Sequence, residues 1–297
     1  GAGAMGSAFA VPCLDNKNDV TIVGTHLEDG LIETINSNDH IHPALKTKLP
    51  KKIKFERFEK LQTILKEKID IIVCGVSSVG IEWFVQQISK NYNNKLPIVL
   101  LTKGLSIVDN ELTTLSDKIK YLLKKAGHSQ INISAIKGPC LAAGLANKMR
   151  TGTVVANQNV KESLLLKDTI STEYYSTEIS EDIIGVELSG AIKNIYSMLI
   201  GASEGLSNSK ASKEIQSKYF LNTAASLIHR SISEMVEFVS YYGGKPETVY
   251  GLAGLGDLYV SAIGGRNSLM GKYLGEGHLY SDAKEKFMTN ITVEGAQ

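Results

Sequence analysis

The sequence predicts an α/β fold, a parallel sheet layered with helices, followed by a domain that is all helix. Three observations carry this. Short apolar runs alternate with amphipathic stretches through the first half, the pattern of βαβ units. Strand candidates nearly vanish after about Ser180, and from there apolar residues recur at helical spacing. We place the boundary near residue 182, giving domains 1–182 and 183–297. A chain of 297 residues is long enough for two such domains, each with its own core.

In chain order, the strand candidates are Val20–Val23, Ile69–Gly75, Ile98–Thr102, Ile131–Ile136 and Thr153–Ala156. Their mostly apolar character suits strands buried on both faces. Phe58–Glu67 and Ile81–Tyr92 read as helices between them, and residues 36–54, with Pro43 and Pro50, as an extended excursion. Beyond residue 182, Ile183, Ile184, Leu188, Ile192, Ile195 and Leu199 mark one helix. Thr223–Ser240 marks a second, stopped by Gly243-Gly244 with Pro246 just beyond. Shorter helical patterns follow at Glu247–Tyr250 and Leu258–Ile263.

Composition narrows the function classes. Hydrophobic residues are 43% and charged residues 21%, which excludes a disordered or fibrous chain. The formal net charge of +1 gives no reason to expect nucleic acid or an acidic membrane surface, which need clustered basic charge. Cys13, Cys74 and Cys140 lie far apart, without CxxC spacing or a histidine at ligand distance. They indicate a reducing compartment and neither a disulfide framework nor a metal site. Cys74, within Ile71-Ile72-Val73-Cys74, reads as a small core hydrophobe. No apolar stretch is expected to reach the ~18 residues that span a bilayer. No signal peptide precedes the first motif, so the expected location is cytoplasmic. The chain opens at Gly1 inside a motif that ordinarily follows a strand and stops at Gln297, so truncation at both ends is expected.

That opening motif is Gly1-Ala2-Gly3-Ala4-Met5-Gly6, a match to G-x-G-x-x-G that runs into an apolar helix. In such a loop one glycine makes the tight turn, one lets the backbone approach a pyrophosphate, and one lets helix and strand pack closely. The phosphates then face the N–H groups of a helix start. A plain glycine-rich turn is the alternative. After the second strand stands Gly24-Thr25-His26-Leu27-Glu28-Asp29, with no acid at the strand's immediate end and no arginine. NAD and NADP both stay open.

Three further segments carry polar groups suited to chemistry. In Gly185–Asn194, Val186, Gly190, Lys193 and Ser197 share a helical face, so small neighbours leave room beside the Lys193 ammonium. A solvated lysine with its stem over the core is the alternative. Asp257 and Ser261, four apart, share another face. Gly264-Gly265-Arg266-Asn267 sets a guanidinium fork and free N–H groups at a helix start, a pairing suited to a phosphate monoester. A helix-joining turn with a surface arginine is its alternative. Lys103 follows a strand directly, in Leu101-Thr102-Lys103-Gly104, where an open α/β sheet borders its ligand crevice.

Together, GAGAMG, TKG, KGP (Lys137–Pro139), GVELSGAIKN, SNSKA (Ser207–Ala211), GLGDL, GGRN and VEG (Val293–Gly295) resemble the NAD(P)-dependent glycerol-3-phosphate dehydrogenase family over nearly the whole chain. GAIKN, GLGDL and GGRN are the specific members of the set. Cys140, after KGP, departs from the small or polar residue expected there, and the family continues with further helix beyond VEGAQ. The resemblance implies a Rossmann-type domain, a helical substrate domain and a cleft between them. It implies interconversion of dihydroxyacetone phosphate and sn-glycerol 3-phosphate with NAD or NADP. Lys193 would be the catalytic lysine, a desolvated amine with a useful pKa and a charge for the developing alkoxide. Asp257 would position it and Lys103 would orient substrate or cofactor. Arg266 and Asn267 would hold the phosphate, with Asn194 and Ser261 in support. The cofactor would meet Gly1, Gly3, Ala4, Met5, Gly6, Thr25, Arg266 and Glu294. No nucleic acid and no membrane insertion are expected, and a homodimer is compatible with the reading. The rival readings are a β-hydroxyacid dehydrogenase of the 6-phosphogluconate dehydrogenase type and a catalytically inactive dinucleotide-binding protein.

Overall fold

The computed structural model describes residues 1–93, 96–210, 213–289, 291 and 293. It divides into two compact units, Gly1–Ile183 and Ile184–Gln297.

The first unit runs α1 (Ala4–Asp15), β1 (Thr21–Val23), α2 (Asp29–Ser37), β2 (Ile41–His42), β3 (Thr47–Lys48), β4 (Lys54–Glu56) and α3 (Leu61–Ile64). It continues through β5 (Ile72–Cys74), α4 (Ile81–Ile88), β6 (Ile98–Leu100), β7 (Leu105–Val108), β8 (Glu111–Thr114) and α5 (Leu115–Lys125). The last elements are β9 (Ile133–Lys137), α6 (Ala142–Ala146), β10 (Thr151–Ala156), α7 (Val160–Ile170) and β11 (Tyr175–Ser180). The main sheet has five strands in the order β11-β10-β9-β6-β5. All neighbours are parallel except β10 and β9, which are antiparallel. A separate parallel pair joins β1 to β4, Ile22 opposite Phe55.

Period-two alternation explains the two cores of this unit. Ile98 and Leu100 of β6 face α4 and α5, among Phe84, Ile88, Leu115 and Ile119. Val99 faces the other way, with Ile136 and Val155, onto Phe9 and Val11 of α1 and Leu145 of α6. Cys74 is fully buried in the first of these cores. Burial pushes its thiol up to about 11.

All five expected strands are present, with trimmed or shifted ends, but three elements differ from expectation. The excursion at 36–54 contains the end of α2, the β2–β3 hairpin and the start of β4. The helix expected at Phe58–Glu67 is only a 3₁₀ turn, Phe58–Lys60, and the single turn of α3. The β7–β8 hairpin and β11 had no apolar run to announce them, because one face of each is half exposed.

The second unit is helical throughout its described residues: α8 (Ile183–Lys210), α9 (Lys213–Tyr241), α10 (Pro246–Tyr250), a π-helical turn at Leu252–Gly256, α11 (Asp257–Gly264), α12 (Arg266–Gly275) and α13 (Tyr280–Lys286). α8 begins one residue before the unit boundary. The reading that no apolar stretch is long enough for a bilayer needs correction. The segment Ile183–Asn208 has 26 residues and is apolar enough by length and composition. However, 67% of its most apolar window is buried within the protein, as in a core helix.

Glycines set how closely α8 meets α12. A Cβ on Gly201 would lie 2.0 Å from the Ser268 carbonyl oxygen, and one on Gly205 would lie 2.0 Å from that of Lys272. From the other side, a Cβ on Gly271 would lie 1.9 Å from the Met198 carbonyl oxygen, and one on Gly275 would lie 2.0 Å from that of Ala202. Spaced four apart on each helix, these positions form one stripe per helix, and the two stripes bring backbone against backbone.

Candidate active site

The glycine loop closes on itself in the first unit. A Cβ on Gly6 would stand 2.7 Å from the Gly1 carbonyl oxygen, and one on Gly75 would stand 3.3 Å from the Gly6 Cα. These are the places where α1 and the end of β5 touch. At Gly3, the N-cap of α1, the only heavy atom that a Cβ would approach is Glu28 Oε1, at 3.8 Å. Open backbone at a helix start is the cradle that a pyrophosphate requires. The residues present therefore fit a dinucleotide.

Side chains far off in sequence hold this loop. The Ser7 hydroxyl donates to the Ala2 carbonyl at 3.0 Å. His42 Nε2 meets the same oxygen at 2.9 Å, while its Nδ1 accepts from the Leu45 N–H at 3.3 Å. An Nδ1 that accepts leaves the proton on Nε2, so His42 is a donor to Ala2. The excursion that carries His42 thus buttresses the loop. On the other side, one carboxylate oxygen of Glu28 accepts from the N–H groups of Ala2 at 3.0 Å and Thr25 at 2.8 Å.

Ala4 and Met5 open α1, and Thr25 lies just past β1, its hydroxyl accepting from the Leu27 N–H. Lys103 lies half-buried after β6, beside Gly104, whose φ of +136° only glycine adopts readily. Lys137 was read only as part of a motif. It ends β9 at 2% exposure, and its Nζ donates to the Leu100 carbonyl at 3.3 Å.

The second unit gathers the lysine constellation. Lys193, on α8, is 5% exposed, so the solvated-lysine alternative fails. Its Nζ donates to Asp257 Oδ1 at 2.9 Å and also to the Ser261 hydroxyl. Asp257 and Ser261 occupy one face of α11 and are themselves buried. The π-helical turn before Asp257 redirects the chain so that α11 starts at this carboxylate. Asn194 is buried next to Lys193 in sequence. Arg266 is exposed and Asn267 buried at the start of α12, with Gly265 as N-cap, so GGRN does open a helix. Glu294 and Gly295 of the last motif, and Ala211 of SNSKA, lie outside the described residues.

Ser7, Glu28 and His42 are the polar residues the sequence reading did not assign. Glu28 sits five residues past β1 at the N-cap of α2, and only the fold brings it back to the loop. Nothing in sequence marks His42 apart from its place before Pro43.

These features agree with comparison to known proteins. The family model described as NAD-dependent glycerol-3-phosphate dehydrogenase N-terminus matches residues 1–163, and the one described as its C-terminus matches residues 182–297. The NADP(+)-dependent glycerol-3-phosphate dehydrogenase of Archaeoglobus fulgidus is 34% identical over 286 residues, covering 96% of this chain and 82% of the relative. The NAD(P)+ glycerol-3-phosphate dehydrogenase of Bacillus pumilus is 28% identical over 300 residues, covering 100% and 81%. The crystal structure of a glycerol-3-phosphate dehydrogenase from Coxiella burnetii superposes with a TM-score of 0.83 at 26% identity, covering 100% of this chain and 84% of that one. The chain belongs to the NAD(P)-dependent glycerol-3-phosphate dehydrogenase family.

Proposed function

We propose that the chain interconverts dihydroxyacetone phosphate and sn-glycerol 3-phosphate, with Lys193 as the group that gives and takes the proton. The observation that carries this reading is the buried Lys193 ammonium, hydrogen-bonded to Asp257 at 2.9 Å and to Ser261. When bound, the nicotinamide supplies the hydride for reduction of the carbonyl carbon or accepts it in the reverse direction. Lys193 Nζ delivers a proton to the carbonyl oxygen as it becomes an alkoxide, and recovers one from the hydroxyl in reverse. Its positive charge lowers the cost of the alkoxide in a site with little water. Asp257 holds the amine in place, and Ser261 fixes its direction.

Arg266 offers a planar fork to the substrate phosphate, and Asn267 adds its amide at the same helix start. Asn194 adds a polar contact, and Lys103 orients substrate or cofactor from the end of β6. The glycine loop, from Gly1 through Gly3, Ala4, Met5 and Gly6, takes the pyrophosphate, with Thr25 near the adenosine end. Arg266 and Glu294 complete the cofactor contacts. In this reading residues 1–182 bind the dinucleotide and 183–297 the substrate. The enzyme works in the cytoplasm without inserting into a membrane, and a homodimer is compatible with it.

The test is NADH or NADPH oxidation with dihydroxyacetone phosphate as substrate. Lys193→Ala should lower kcat by roughly 10²- to 10⁴-fold, the range for loss of a general acid. Arg266→Ala should raise KM for the phosphate ester by roughly 10- to 100-fold, as for a lost charged hydrogen bond. Full turnover in the lysine variant would sink the mechanism. Equal use of unphosphorylated dihydroxyacetone would sink the role of Arg266.

A further inference from the structure

We infer that Glu28 sets cofactor choice and makes the chain prefer a dinucleotide without a 2′-phosphate. The inference rests on the proposed dinucleotide site and adds to it the residue that reads the adenosine ribose. Glu28 is the N-cap of α2, yet its side chain makes no capping hydrogen bond to that helix. It turns back instead, and Oε2 accepts from Ala2 N at 3.0 Å and Thr25 N at 2.8 Å. The carboxylate is thereby fixed between the glycine loop and the end of β1. In a sheet of this kind the adenosine ribose lies beyond the end of the second strand, next to the glycine loop.

A carboxylate is an acceptor only, with lone pairs beyond the two that these N–H groups occupy. Ribose hydroxyls satisfy it as donors. A 2′-phosphate in the same place would set two anions against each other. The surrounding charge points the same way. Gly24–Asp29 holds two acids and neither lysine nor arginine. Arg57, just past the end of β4, pairs with Glu33.

Calorimetric titration of the full chain with NADH and with NADPH tests this without relying on turnover. NADH should bind roughly tenfold or more tightly, the size of one charged hydrogen bond gained or lost. Glu28→Gln, which removes the charge but keeps an acceptor oxygen for the loop, should bring the two affinities close together. Titrating 5′-AMP and adenosine 2′,5′-bisphosphate into the unaltered chain asks the same question of the ribose end alone, so the answer survives a variant that does not fold. Equal or tighter binding of NADPH by the unaltered chain overturns the role of Glu28 and leaves the dinucleotide site standing. An unchanged affinity ratio in a folded Glu28→Gln overturns it too. If neither dinucleotide binds, the dinucleotide site itself falls, and this inference with it.

Discussion

Single residues decide where charge is tolerated. Cys74 is wholly buried between β5 and the α4–α5 layer, and its thiol keeps its proton up to about 11, against 9.0 for a free one. The unfolded chain gives up that proton first as pH rises. Between these values the folded state binds more protons, so stability falls with increasing pH. The contribution is complete below pH 9.0 and is lost as pH rises through about 11. The loss should amount to roughly 2 to 3 kcal/mol, about 1.4 kcal/mol per pKa unit. Urea unfolding from pH 8 to pH 11 checks this, and Cys74→Ala should flatten part of the slope. Identical slopes in the two proteins would refute it. Cys74 was legible as a core residue because its neighbours are apolar on both sides. Glu28 and His42 were not, because each reaches the glycine loop through a hydrogen bond across a turn or hairpin, and such pairing leaves no periodic trace in sequence.

At the scale of elements, period and composition were enough to find the strands and the long helices. They failed where an element lacks an apolar face. The β7–β8 hairpin and β11 pair mainly through backbone groups, and α3 is one turn long. The lysine constellation was legible in part. Spacing put Asp257 and Ser261 on one face, but their meeting with Lys193, 64 residues away, depends on how α8 and α11 pack. That packing continues into α12 through the glycine stripes. Gly271→Ala would drive a methyl to 1.9 Å from the Met198 carbonyl, so one helix would have to move. We expect about 3 kcal/mol of destabilisation, the upper end for overpacking. We also expect slower turnover, since α8 carries Lys193. Differential scanning calorimetry beside steady-state assays checks both; a neutral alanine at 271 would mean the helices are less tightly seated.

For the whole molecule, the division into an α/β unit and a helical unit follows from where apolar runs of period two give way to period 3.6. Ligand linkage offers a test at this scale. A dinucleotide that binds only the folded chain, supplied at about a hundred times its Kd, should add roughly 2.7 kcal/mol of stability. In a thermal melt that corresponds to a rise of several degrees for units of this size. Dihydroxyacetone phosphate given without the dinucleotide should shift the melt as well if the helical unit holds the phosphate by itself. No shift with either dinucleotide would contradict the cradle at Gly3.

The glycine stripes of α8 and α12 also determine how this protein can change. A helix crossing held apart by side chains can drift by exchanging one apolar residue for another of similar volume. A crossing where Cβ positions coincide with carbonyl oxygens has no smaller residue to fall back on. Saturation libraries at 201, 205, 271 and 275 should return glycine alone among active clones, while exposed positions such as Tyr241 and Leu279 accept many residues. Attempts to retune the substrate end of the enzyme would then have to work from the loops around that crossing.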